Sequence, residues 1–143
     1  MDKYLNANII FSKFSRDYTE LKKDLPIRPS EMGVLNIITK NKDKYTPVMI
    51  AELLEVSKPM ITTHINVLEK KGYILKEFSK EDKRSFYVIP TDKAKDLVKV
   101  TERKMSNYLN QIEKALGEDA FNKLLEILTD TNKILKNIKG EDL

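Results

Sequence analysis

The segment from Lys58 to Lys71 carries two chemically different sets of side chains at helical spacing. At about 100° per residue, Ile61, Ile65 and Leu68 fall on one side, and Lys58, Pro59, Thr62, Thr63 and Asn66 fall on the other. The second set is short, polar and nearly free of acids. Hydroxyl and amide groups displayed on a helix reach base edges when the helix lies in a major groove, which is wide enough to admit one. Carboxylates would be repelled by phosphate, so the lack of acids bears on the reading. An ordinary solvated face is the competing reading, but other polar faces of this chain are crowded with Glu and Lys.

A second group follows within ten residues. Lys80, Lys83 and Arg84 are basic side chains in a wholly charged run, Lys80-Glu81-Asp82-Lys83-Arg84. A basic tip beside such a helix can lie along phosphates or enter a minor groove, where the negative potential favours arginine. It also fits a turn that is merely soluble. Asp82 is suited to hold Arg84 through a charge-assisted bond. The only histidine, His64, falls about 200° from Thr62 and reads as a half-buried structural residue.

The elements that must position these groups are legible from period and punctuation. From about Asp2 to Leu25, Tyr4, Ala7, Phe11, Phe14, Tyr18, Leu21 and Leu25 recur at alternating steps of three and four, a single helical stripe. Pro26 and Pro29 stop it. The stripe fits either a helix–helix seam or an amphipathic helix packed on its own domain. A short buried helix is predicted from Ser30 to about Asn41, with Met32, Val34, Leu35, Ile37 and Ile38. Thr46-Pro47 reads as an N-cap and first helical residue, opening a helix to Leu54. Ser57 caps the next, and Gly72 ends it as a left-handed residue. Two short helices across a tight break form a helix-turn-helix pattern.

After Gly72 the period becomes two. Tyr73–Ser79 and Ser85–Ile89 read as paired strands around the charged tip, a β-hairpin or wing. Pro90 is expected to end the strand and Thr91 to cap a helix carrying Ala94, Leu97, Val98, Met105, Tyr108, Leu109, Ile112 and Leu116. Gly117 separates it from a last helix with Phe121, Leu124, Leu125, Leu128, Leu135 and Ile138 on one side. The fold class is mainly α with a small β-hairpin wing. A winged helix-turn-helix over residues 30–90 lies within a single domain, 1–143, and is flanked by helical segments 1–25 and 91–143.

Composition bounds the function. The net charge of +4 is mild evidence for an anionic partner, and between Lys58 and Arg84 seven basic side chains oppose four acidic ones. With no cysteine, thiolate metal sites and thiol redox switches are excluded, and one histidine argues against zinc. No cofactor is expected. No phosphate loop, His-Glu-x-x-His or nucleophile elbow is present, so an enzyme is not expected. The N-terminus lacks the basic start and apolar run of a signal peptide, and no stretch approaches the ~20 apolar residues of a membrane span. A cytoplasmic location without a membrane partner is expected.

Ser57-Lys58 leading to Leu68-Glu69-Lys70-Lys71-Gly72, then Asp82-Lys83-Arg84-Ser85, then Thr91 opening a helix, resembles the MarR family of bacterial transcriptional regulators over essentially the whole chain. The resemblance implies a homodimer formed by intertwined N- and C-terminal helices. It implies binding to pseudo-palindromic operators in double-stranded DNA, repression, and release by a small aromatic or phenolic effector bound between the dimerisation helices and the winged helix. It further implies that Thr62 and Thr63 face bases, that Ser57 and Lys58 meet the backbone, and that Arg84 serves the wing, braced by Asp82. Pro90, Arg28, Thr63 and Val67 depart from the family pattern. The other reading of the same elements is a winged-helix module that binds protein or RNA without operator specificity; an acid-free recognition face and a basic wing are features it would not need.

Overall fold

The computed structural model describes residues 2–140; Met1 and residues 141–143, the extreme ends of the flanking segments defined from sequence, lie outside the described residues. The chain divides into two compact units after Glu102. The first contains α1 (Lys3–Glu20), α2 (Pro29–Lys40), α3 (Pro47–Leu54), α4 (Lys58–Lys70), β1 (Ile74–Phe78), β2 (Phe86–Pro90) and the start of α5 (Asp92–Leu116). The second contains the rest of α5 and α6 (Glu118–Gly140).

Local chemistry sets the helix ends. Asp2 accepts from the Tyr4 N–H at 3.4 Å, Thr46 from Met49 at 3.3 Å and Ser57 from Met60 at 3.3 Å, each satisfying an otherwise orphaned donor. Arg28 occupies the cap of α2. Arginine has no acceptor, so only the reciprocal half of a capping box forms, with Glu31 accepting from the Arg28 N–H at 3.2 Å. The first helix stops at Glu20, short of Leu25. Its last residues tighten into turns in which Leu21, Lys22 and Lys23 donate three residues back. Between α3 and α4, Glu55 takes the left-handed conformation at φ 56°. Val56 donates to the Ala51 carbonyl and Glu55 to the Glu52 carbonyl, a Schellman closure normally built on glycine.

The core lies in the first unit. Val34, Leu35, Ile38, Ile50, Ile61, Ile65, Leu68, Ile74, Val88, Ala94 and Val98 are buried together, so α2, α3, α4, the hairpin and the first turns of α5 share one apolar centre. β1 and β2 are antiparallel in register Ile74↔Pro90 to Phe78↔Phe86. Pro90 is the last residue of β2, and its nitrogen, two residues on from that of Val88, points to the edge away from β1, where no ladder donor is lost. On the other edge of β2, Val88 donates to the Tyr45 carbonyl at 2.8 Å. Lys44 beside it bonds Glu77 of β1 at 2.8 Å, and this carboxylate raises the lysine pKa, first by the hydrogen bond and then by its charge.

Thr91 fastens the hairpin to α4 and α5. Its hydroxyl donates to the carbonyls of Gly72 at 2.8 Å and Tyr73 at 3.1 Å, and accepts from the Ala94 N–H at 3.3 Å. In the second unit Gly117, at φ 91°, breaks α5 from α6. No residue of α1 or α6 is buried.

Thr91→Val keeps the side-chain shape and removes all three bonds. It is expected to cost about 1–3 kcal/mol in urea denaturation at fixed protein concentration, with Thr91→Ser recovering most of the loss. An unchanged midpoint in Thr91→Val would mean that the hydroxyl contributes nothing.

Candidate nucleic-acid interface

Burial of Ile61, Ile65 and Leu68 sets the rotation of α4 about its axis. What remains exposed divides into two edges. Lys58, Thr62 and Asn66 face a shallow groove together with Thr46, Pro47 and Val48 from the start of α3 and Lys76, Arg84, Ser85 and Phe86 from the hairpin. Thr63 does not join them. It lies with His64, Val67 and Lys71 on a separate crevice of about 1250 Å³, whose opposite wall is the latter half of α1 and the segment to Glu31. Pro59 is exposed in the first turn of α4, and Ser57 spends one lone pair of its hydroxyl on the cap.

The side chains on the groove differ in what they can still offer. Thr62 and Thr63 donate their hydroxyl hydrogens back to the Lys58 and Pro59 carbonyls, both at 3.1 Å. Each then presents a methyl and oxygen lone pairs. Asn66 accepts from Lys76 Nζ at 3.2 Å. Lys76 is absent from the set chosen by sequence, because its position in a strand ten residues away gave no sign that it meets α4. Its ammonium also reaches Glu69 at 3.4 Å and stands 5.1 Å from the Phe86 ring centre.

The wing tip is shaped by side chain–backbone bonds. Ser79 Oγ accepts from the N–H groups of Glu81 and Asp82 at 3.2 and 3.3 Å. Asp82 Oδ1 accepts from the Arg84 N–H at 3.0 Å and from its Nε at 3.4 Å. These are short-range turns that serine and aspartate favour. They hold the Arg84 backbone more firmly than its guanidinium, which is 93% exposed, where an ion pair is worth little. Lys80 and Lys83 are also exposed on the tip and do not line the groove.

In the crevice, Phe11, Leu25, Ile27 and Val67 supply apolar wall and Arg16 and Lys71 supply charge. Two polar atoms there, Glu31 Oε2 and His64 Nε2, are buried without a hydrogen-bond partner. Glu31 is only 2% exposed. Among the described residues no cluster of three His, Asp or Glu side chains could hold a metal ion, and no helix is long and apolar enough to cross a membrane.

A helix-turn-helix followed by a hairpin that borders the exposed edge of its second helix defines a winged-helix protein. Residues 25–85 match the family model described as MarR family. No curated protein matches the chain. The fold is similar to that of Streptococcus pneumoniae FabT in complex with DNA (TM-score 0.79, 22% identity, covering 95% of this chain and 99% of that one). It is also similar to E. coli MarR in its reduced form (TM-score 0.69, 22% identity, covering 92% and 96%). S. aureus MepR in a DNA-binding conformation shares it as well (TM-score 0.69, 18% identity, covering 90% and 98%).

Asp82→Ala removes the acceptor that fixes the Arg84 backbone, whereas Asp82→Asn keeps a carbonyl in its place. The Arg84 amide is expected to exchange roughly fivefold faster or more in the alanine variant and near the parent rate in the asparagine variant, read by NMR hydrogen exchange. Equal exchange in all three proteins would show that the turn does not depend on Asp82.

Proposed function

We propose that the chain is a sequence-specific DNA-binding transcriptional regulator, acting as a homodimer on a pseudo-palindromic operator. The observation that carries this reading is the groove in which Lys58, Thr62, Asn66 and Arg84 converge beside a helix whose rotation the core dictates. In this reading α4 enters the major groove, with Thr62 and Asn66 toward base edges and Ser57, Lys58 and Pro59 toward the phosphates. Thr63 takes the outer edge of the same helix. Arg84 reaches the backbone or the adjacent minor groove from the wing, steadied by Asp82, with Lys80 and Lys83 adding positive charge. The similarity to FabT, solved with DNA, supports this use of the fold.

A second copy of the chain accounts for apolar surface that the single chain leaves uncovered. Tyr4, Ile10, Phe11 and Phe14 of α1 and Ile127, Ile134 and Leu135 of α6 are all exposed. Several large apolar side chains exposed along one helix mark an interaction site, and two-fold pairing is the commonest way to bury them. A two-fold dimer would set two half-sites about 10 bp apart, one turn of DNA.

The finer reading is a repressor working in the cytoplasm, without a catalytic step, and released by a small aromatic or phenolic effector. The crevice supports it: apolar walls with a few charged and polar side chains are what a compact ligand needs, and Glu31 and His64, each with a buried polar atom that lacks a hydrogen-bond partner, are among the residues that line it.

The test is fluorescence anisotropy with DNA from upstream of the protein's own gene, against a scrambled duplex, across a salt series. A preference of roughly 10³ or more with a steep salt slope is expected; weak and equal binding to both duplexes argues against an operator there. Arg84→Ala is expected to weaken binding and reduce the slope of log K against log salt by about 1, and an unaltered slope would remove Arg84 from the phosphate contacts. For the dimer, Phe14→Glu places a charge on the exposed face of α1. It is expected to shift the protein toward monomer in sedimentation velocity and to lower duplex affinity at least tenfold. A variant that stays dimeric would take this face out of the interface.

A further inference from the structure

We infer that Lys76 is a positioning residue for base readout, pinning the Asn66 side-chain amide so that Asn66 meets DNA as a hydrogen-bond donor. The inference rests on the proposal that α4 reads bases.

An ammonium has three N–H donors and no lone pair. Only the carbonyl end of the Asn66 amide can therefore face Lys76 Nζ, 3.2 Å away. The amide is planar, so fixing Oδ1 on Lys76 turns the two Nδ2 hydrogens away from it, on an exposed residue of the groove. Lys76 is itself held in place. Its side chain is 20% exposed, its ammonium is 3.4 Å from Glu69, and it lies 5.1 Å from the centre of the Phe86 ring. A lysine held by a carboxylate, an amide and an aromatic face has lost most of its rotamer freedom before any ligand arrives, so the cost of ordering Asn66 is met in the free protein.

The consequence for readout follows from the edges of the bases. An unpinned asparagine suits adenine, donating to N7 while accepting from the N6 amino group. With Oδ1 on a cation, a base amino group approaching the same oxygen would meet the positive charge of Lys76. The Nδ2 donors instead suit edges that only accept: O6 and N7 of guanine, or O4 of thymine. The neighbouring Thr62, whose hydroxyl hydrogen is bonded to the Lys58 carbonyl, offers lone pairs and a methyl. Adjacent residues on the groove thus present opposite hydrogen-bonding character.

The experiment is a binding selection on a duplex library randomised across one half-site, with the full-length protein and its Asn66→Ala, Lys76→Met and Lys76→Arg variants. Asn66→Ala locates the base pair that Asn66 reads. At that position the parent protein is expected to favour guanine or thymine over adenine by roughly five- to tenfold. Lys76→Met is expected to lose this preference at the same position only, and Lys76→Arg to retain it. If Lys76→Met keeps the preference and weakens all sequences alike, Lys76 is a phosphate contact and the inference is overturned. If Asn66→Ala alters no position, Asn66 reads no base and the inference is overturned; a parent protein that selects no sequence in the half-site would instead show that α4 reads no bases, a distinct result that takes the inference with it. A measurement without DNA guards against misfolding: in NMR spectra of the free proteins, the Asn66 side-chain amide pair is expected to move toward the unstructured position in Lys76→Met and to stay in Lys76→Arg. An unmoved pair in Lys76→Met means there is no pin.

Discussion

The orientation of one helix about its own axis governs the rest of this molecule, and three side chains set it. Ile61, Ile65 and Leu68 are all essentially solvent-free, and burying each stabilises the fold by about 1.5–3 kcal/mol. Rotating α4 by half a residue step would pull one of them toward water, and nothing on the opposite side of the helix could replace it. The ends are fixed as firmly. Ser57 closes the N-terminus, Gly72 at φ 82° turns the chain out, and Lys93 donates to the Lys71 carbonyl. Once α4 is locked in this way, the surface that Lys58, Thr62 and Asn66 present is a property of the core, not of those residues.

The same lock gives α4 two working edges. One belongs to the groove that it shares with the hairpin, and the other forms a wall of the crevice opposite α1. Both edges belong to one helix of 13 residues, so the crevice and the groove share it as a wall. Glu31 also lines the crevice: one of its oxygens closes the start of α2, and the other is buried without a hydrogen-bond partner.

What could be read from sequence was local. Thr46 before Pro47, Ser57 before Lys58, and Gly72 after Lys71 each announce a helix end through bonds spanning three or four residues, and the alternating Phe86-Tyr87-Val88 run announces a strand. The contacts that escaped are those whose partners are far apart in the chain. Nothing in Tyr45 says that its carbonyl will receive the Val88 amide, and nothing in Lys76 says that it will meet Asn66. The separation of Thr63 from Thr62 was missed for a different reason: the angular estimate grouped both on one exposed arc, and only the placement of α1 and the hairpin reveals that the arc borders two cavities. Glu55 hid because a left-handed residue is usually signalled by glycine, and here the break between helices bears the strain on an ordinary side chain.

The wing tip invites a consequence of another kind. Its shape is made by Ser79 and Asp82 bonding to neighbouring amides, and none of Lys80, Glu81, Asp82, Lys83 or Arg84 is a core residue. Foldability and surface chemistry are thereby separated in the sequence. Lys80, Glu81 and Lys83 can drift through many combinations of charge and length while the two turn-forming side chains keep the loop in form and the core is not consulted. An evolving lineage could retune this tip one substitution at a time, whereas a comparable change on the inner side of α4 would have to be matched by compensating changes in α2, α3 and the hairpin at once.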